Sequence, residues 1–206
     1  DELIAQENVE FGHGASRAKA DRAVYQATNG LLTLTGNPTW KIDEGEGRSQ
    51  FLIMEPKTRL IHAQGNVLFR FVNVMTNALG LTFPESSSGT NAAARRSVDL
   101  LISADALRSK PGSAIFVNNV RVTSPQEPGN EIVCGVLAAF SEDRGNKLDE
   151  LRAEDNVRIR QGQLEATGHR ALYLVSKGTI ELTGDARTGA PRIVRQGQTY
   201  VADSFI

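Results

Sequence analysis

The sequence predicts an all-β fold of repeated antiparallel hairpins around an apolar interior. Three observations carry that prediction. Short segments recur along the chain as near copies, apolar and polar side chains alternate strictly within each copy, and most copies have Gly, Asn or Asp at their centre. Alternation with period two marks a strand with one buried and one wetted face, whereas a helix would repeat every 3.6 residues.

Six copies follow in chain order: Leu-Ile-Ala-Gln-Glu-Asn-Val-Glu-Phe (3–11), Leu-Thr-Leu-Thr-Gly-Asn-Pro-Thr-Trp (32–40), Ile-His-Ala-Gln-Gly-Asn-Val-Leu-Phe (61–69), Ala-Ile-Phe-Val-Asn-Asn-Val-Arg-Val (114–122), Leu-Arg-Ala-Glu-Asp-Asn-Val-Arg-Ile (151–159) and Ile-Glu-Leu-Thr-Gly-Asp-Ala-Arg-Thr (180–188). Their centres, Glu7, Gly36, Gly65, Asn118, Asp155 and Gly184, are 29, 29, 53, 37 and 29 residues apart. Fixed-period self-similarity is the mark of a repeat architecture, and the spacing of 53 reads as one period plus an insertion.

Counting two and four residues either side of each centre gives 24 slots, of which only Thr188 is polar. The slots between them hold four apolar residues in 24: Ile4, Leu68, Ile115 and Val117. Each copy is therefore a strand with a greasy face and a wet face. The candidate lining of the greasy interior is Leu32, Leu34, Trp40, Ile61, Val67, Phe69, Phe116, Val120, Val157, Ile159, Ile180 and Leu182.

The centres tolerate left-handed backbone angles, so each predicts a bulge or sharp bend inside its strand. Glu7 breaks that rule. Gly-Asn also suits a two-residue hairpin turn. A bend fits better, because the alternation keeps its parity straight through the centre.

Between the copies lie second strands, Ala20–Tyr25, Gln50–Met54, Val136–Phe140 and Arg170–Val175, which lead into the turn signals 28–30, 55–58, 141–146 and 176–178. The dipeptide Ala-Asp recurs at 20–21, 104–105 and 202–203, the last opening a strand over Val201–Ile206. Residues 71–98 read as an insertion or flexible connector rich in Ser, Gly and Ala, dividing a first repeat block (1–70) from a second (99–206), with one continuous stack as the alternative. The chain opens at Asp1 rather than Met and both ends fall inside a repeat, which suggests a trimmed form or a piece of a longer array.

Composition narrows the function classes. A net charge of −1 argues against electrostatically driven nucleic-acid binding. With Cys134 alone, there is no intrachain disulfide and no cysteine zinc cluster, and its place in Ile132-Val133-Cys134 reads as a small buried apolar residue. His13, His62 and His169 sit in no nucleophile or metal motif, and Asp43-Glu44-Gly45-Glu46-Gly47 reads as a solvated connector rather than a calcium loop. No glycine-rich phosphate loop or nucleophile elbow is present. Catalytic, metal and cofactor sites are therefore not expected.

What remains is the apolar face. Two such sheets make a sandwich, or an open taco whose splayed walls form a lipid-sized groove. A fatty acyl chain of ~12 carbons would gain on the order of 10 kcal/mol there.

The segments Ala-Asp-Arg-Ala-Val-Tyr (20–25), Leu-Thr-Leu-Thr-Gly-Asn-Pro (32–38), Leu-Ile-His-Ala-Gln-Gly-Asn-Val (60–67) and Leu-Tyr-Leu with Ile-Glu-Leu-Thr-Gly-Asp-Ala (172–186) resemble the OstA-like family of lipopolysaccharide-transport proteins, which comprises LptA, LptC and the N-terminal periplasmic domain of LptD. The resemblance covers 1–70 and 99–206 and departs from the pattern in the 71–98 insertion and in Asn118 and Asp155, where Gly is usual. It implies a V-shaped β-jellyroll, or β-taco, in the periplasm, either free or as part of an outer-membrane protein. It implies no enzyme. It implies lipopolysaccharide or a related glycolipid as ligand, carried between inner and outer membranes with its acyl chains in the groove. It also implies other lipopolysaccharide-transport proteins as partners through edge-strand pairing, and head-to-tail self-association. A structural β-solenoid or adhesin-type scaffold with a closed core is the alternative. A carbohydrate-active β-helix enzyme, with Glu142/Asp143 or Asp149/Glu150 as acid and base, fits poorly because adjacent carboxylates cannot flank one bond.

Overall fold

Pairs of consecutive left-handed residues crease this protein. In the computed structural model they are Glu7-Asn8, Gly36-Asn37, Gly65-Asn66, Asn118-Asn119 and Asp155-Asn156, with φ between 48° and 83°. Four of the six expected centres, Gly36, Gly65, Asn118 and Asp155, thus adopt the backbone their residue types favour, and Glu7 adopts it with φ 65° although its side chain does not ask for it. The structure describes residues 1–43, 45–76, 96–141, 148–174, 177 and 179–206, with backbone alone at 73–76 and 96–98.

The strands are β1 (Glu2–His13), β2 (Ser16–Gln26), β3 (Leu31–Thr35), β4 (Thr39–Ile42), β5 (Gly45–Arg48), β6 (Phe51–Glu55), β7 (Leu60–Thr76) and β8 (Arg96–Lys110). They continue as β9 (Ser113–Thr123), β10 (Glu131–Phe140), β11 (Glu150–Gln161), β12 (Leu164–Leu174), β13 (Thr179–Thr183), β14 (Arg192–Arg195), β15 (Gln198–Val201) and β16 (Ser204–Phe205). Every pairing among them is antiparallel.

At each crease two left-handed residues of one strand oppose a single residue of its neighbour. The register passes from Gln6↔Arg22 to Val9↔Ala20, from Gln64↔Ala106 to Val67↔Ala104, and from Glu154↔Arg170 to Val157↔Gly168. A two-against-one step is a β-bulge, which bends the strand. Aligned bulges fold the sheet along one line into two walls, giving the V of a β-jellyroll. One wall runs β1, β2, β3, β6, β7, β8, β9, β10, β11, β12, β13, β16, through the halves of the long strands before the bulge or after its partner. The other runs β1, β2, β4, β5, β7, β8, β9, β10, β11, β12, β14, β15.

Gly36 shows why the crease wants its residue types. With φ +83°, a Cβ there would also collide with the side chain of Asp21. β3 and β4 do not pair with each other; both pair with β2, so Gly36-Asn37 is a bend and not a hairpin turn.

The structure departs from the sequence reading in five places. Three of the four second strands, β2, β10 and β12, are about twice as long as expected and cross the crease, whereas the strand expected at Gln50–Met54 is β6, of the expected length. Residues 45–47 of the acidic segment are not a connector but, with Arg48, strand β5, in which Gly45 makes room for the Arg70 carbonyl and the Phe69 ring and Gly47 for the Trp40 indole. The sixth copy stops being strand after Leu182-Thr183. Asp185 Oδ1 accepts hydrogen bonds from the backbone N–H groups of Arg187 and Thr188 and from the Thr188 hydroxyl, which closes a loop, and Ile193 of β14 fills the wall instead. The terminal strand is two short ones, β15 and β16, which cross between walls at Ala202-Asp203. Residues 71–76 and 96–98 of the expected insertion extend β7 and β8, with Val74 opposite Val98. Residues 77–95, and all of the expected turn at 141–146 except Ser141, lie outside the described residues.

Candidate functional site

The twelve candidate lining residues divide evenly between the walls. Leu32, Leu34, Ile61, Phe116, Ile180 and Leu182 project from one; Trp40, Val67, Phe69, Val120, Val157 and Ile159 project from the other. All belong to one apolar cluster, and every one except the half-buried Ile180 is at most 4% exposed. The slots chosen on alternation alone therefore converge between the walls.

Each slot is flanked by residues that the sequence reading did not single out. Leu34 lies opposite Ala23 and Leu52, Phe69 opposite Ile102, and Phe116 opposite Leu107 and Leu137. Their signal was present but inverted. In the bulged strands buried residues keep one parity through the crease, as Ala114, Phe116, Val120 and Val122 do. In the partner strands a single residue crosses, so the parity flips: Leu100, Ile102 and Ala104, then Leu107.

The walls touch through side chains alone. Among the described residues, no strand of one wall brings a Cα within 8 Å of a strand of the other to which it is not hydrogen-bonded. Aromatic rings span the gap: Phe116 from one wall sits 6.0 Å from Phe69 and 6.3 Å from Phe71 of the other, centroid to centroid. Such spacings suit edge-to-face and tilted ring contacts. Trp40 extends the cluster, 6.5 Å from Phe69, with its indole over Gly47 and its Nε1 buried without a partner among the described residues.

The trough differs from end to end. At β1 its lining is only half covered: Ala5, Val9 and Phe11 are partly buried and Leu3 is 64% exposed. Among the described residues β1 pairs only with β2, which leaves its outer edge without a ladder partner. At the far end β15 and β16 likewise have one partner each, and Val201 and Ile206 are 63% and 82% exposed. Across the mouth, the β6–β7 turn meets the β4–β5 turn. Arg59 Nη2 donates to Asp43 Oδ2 at 2.8 Å, above a slit of about 20 Å³ flanked by Phe11, Ile42, Met54 and Ile61. That slit has room for about one water molecule.

Polar groups gather along the outside of the crease. Asp21, Asp105, Gly135 and His169 are the single residues facing left-handed pairs. Asn119 donates to Asp105 at 2.8 Å, and His169 Nδ1 lies 3.3 Å from Asp185 Oδ2. Three N–H and O–H donors from Thr188 and Arg187, with His169 beside them, hold the Asp185 carboxyl below the ordinary carboxylate range; the Thr188 hydroxyl has the largest effect. Cys134 faces inward, and burial pushes its thiol up to about 12. Of the carboxylate pairs weighed for glycoside chemistry, Glu150 is ion-paired with Arg152, and Glu142/Asp143 lie outside the described residues.

With this geometry in place, the chain can be compared with known proteins. The family model described as LptA/(LptD N-terminal domain) LPS transport protein matches residues 102–204. No curated protein matches the sequence. A solved structure, LptH, the LptA homologous periplasmic component of the conserved lipopolysaccharide transport device from Pseudomonas aeruginosa, is similar over 91% of this chain and 94% of its own, at 7% identity and a TM-score of 0.41.

Proposed function

Because the chain belongs to the LptA/(LptD N-terminal domain) LPS transport protein family, we propose that it carries lipopolysaccharide with the acyl chains lodged between its two walls. Membership itself gives a role in periplasmic lipopolysaccharide transport. The finer reading rests on one observation: an apolar face of alternate residues runs unbroken along both walls and ends half covered at β1. Each CH₂ moved from water into such a lining gains about 0.8 kcal/mol, so a chain of ~12 carbons supplies on the order of 10 kcal/mol toward parting side chains that now fill the space. The lining is mostly aliphatic, which suits flexible chains without fixed ring geometry.

The free edges of β1 and of β15 and β16 fit strand addition by other transport components or by further copies of this chain, one end of the trough joining the next. Such head-to-tail contacts extend without closing.

The sole tryptophan makes the test direct. Trp40 lies in the trough, so lipopolysaccharide or fatty acid with brominated acyl chains should quench its fluorescence, and non-brominated lipid should not. A second reading, a closed scaffold, is favoured by the packing of Phe116 on Phe69 and Phe71 across the gap. Absence of quenching at saturating brominated lipid would leave the scaffold and discard the carrier.

A further inference from the structure

We propose that Arg59 and Asp43 form a latch that holds the two walls together at the mouth of the trough near β1 and sets how readily that mouth opens. The latch rests on geometry alone; its use as a gate for entering acyl chains rests on the trough reading above. Arg59 stands in the β6–β7 turn of one wall and Asp43 in the β4–β5 turn of the other. The guanidinium Nη2 donates to the carboxylate Oδ2 at 2.8 Å. Among the described residues every other ion pair lies within one wall or along the crease.

The backbone at Arg59 points the same way. In three places the chain closes a loop with the same bond, from the N–H of one residue to the carbonyl four residues earlier: Gly30 to Gln26, Gly189 to Asp185 and Arg59 to Glu55, each at 2.8 Å. In all three the donor residue is left-handed, with φ 71°, 77° and 60°. Glycine takes that backbone freely, whereas a side chain such as Arg is strained in it. Such strain gathers at clamps and switches, where the side chain is put to use. The Arg59 side chain is put to use across the mouth, while Glu55 of its own turn accepts the Thr58 hydroxyl at 2.5 Å.

Beneath the pair the trough reaches the surface. The slit of about 20 Å³ there has Phe11 and Ile42 from one wall and Met54 and Ile61 from the other. Parting the walls at this place separates side chains and the Arg59–Asp43 pair but, among the described residues, no ladder bond. Both charged side chains are 41% exposed. A pair that open to water is screened by salt and weak, so it keeps the mouth closed without fixing it. A permanent brace would be buried; a latch has to let go.

The test uses the full chain with Cys134→Ala and nitroxide labels at Lys57→Cys and His13→Cys, exposed positions at the mouth on opposite walls. Pulsed electron resonance reads the distance between the labels. It is compared in Arg59→Gly, which removes the charge and suits the left-handed backbone, and Arg59→Gln, which removes the charge and keeps the strain; circular dichroism and thermal melting check that both fold. In both variants the distances should shift outward, and high salt should shift the parent chain the same way while leaving the variants unmoved. Trp40 lies two residues before Ile42 on β4 and reports arrival of lipid at this end. Its quenching by dibromostearic acid should be about two- to fivefold faster in both variants, the span an exposed ion pair commands. Unchanged distances in both folded variants overturn the latch. A shift in Arg59→Gly alone also overturns it, because the loop backbone and not the ion pair would then hold the mouth. A shift in both variants with an unchanged quenching rate overturns its use as a gate. A shift with no quenching in any variant sinks the trough reading and leaves the latch; quenching at one rate with unchanged distances does the reverse.

Discussion

Phe116 and Phe69 come from opposite walls and meet with their ring centroids 6.0 Å apart. Phe116 is fully buried, flanked along its own wall by Leu107 and Leu137. The contact closes the middle of the trough, so the same ring serves as core and, under the proposed function, as the obstacle that an acyl chain would have to move.

Replacing Phe116 with Ala should therefore have two separable effects. Urea denaturation should show a loss of about 3–5 kcal/mol, the usual cost of deleting a buried phenyl ring. Bound acyl lipid should restore more stability to the variant than to wild type, because it fills the vacated volume. Equal stabilisation of both proteins would place the lipid elsewhere.

Gly36 combines a left-handed backbone with a Cβ direction blocked by Asp21. Gly36→Ala should cost about 1–2 kcal/mol from backbone strain plus the clash. In a double-mutant cycle with Asp21→Gly, which removes the Cβ that would lie 2.5 Å away as well as the carboxylate, the clash part should vanish and the strain part remain. A fully additive cycle would show that Asp21 does not press on the crease.

The Cys134 thiol is 4% exposed and pushed up to about 12 by burial. It should resist a thiol-reactive disulfide reagent at pH 8 and react at once when the protein is unfolded in urea. The labelling rate in native buffer then reports opening of the walls. Rapid labelling of the native chain would contradict the inward placement of β10.

Asp185 is held below its ordinary carboxylate value chiefly by the Thr188 hydroxyl and N–H. A carboxyl depressed in the folded state stabilises at pH values above its unfolded range and loses that contribution as the pH falls through its folded value. The melting temperature of wild type should thus fall toward that of Asp185→Asn as the pH drops from 7 to below about 4, the unfolded Asp range. A gap between the two that stays constant with pH would show that the carboxylate charge is not what the loop uses.

How much of this was legible in sequence depended on parity. Across Asn118-Asn119 the two left-handed residues preserve alternation, so Phe116 and Val120 read as one face. Across Asp105 alternation inverts, so Ile102 and Leu107 look like opposite faces of a strand although both are buried. For that reason only half of β2, β10 and β12 was recognised, and β8 was not read as a strand at all. β5 was hidden differently, because Gly45 and Gly47 carry no apolar side chain and instead make room for those of others. The sixth copy read as strand throughout because its residues alternate; what ends it is Asp185 satisfying its loop's N–H groups, a local competition that periodicity does not register.

Among the described residues the sheet has a hinge line at its bulges and no second seam. Every ladder bond there runs within a wall or along the crease, so no ladder bond ties the face of one wall to the face of the other. Amide protons of β7–β12 should stay protected from exchange while the interior swells around a guest, so that capacity and fold stability are set by different atoms and can be altered one without the other.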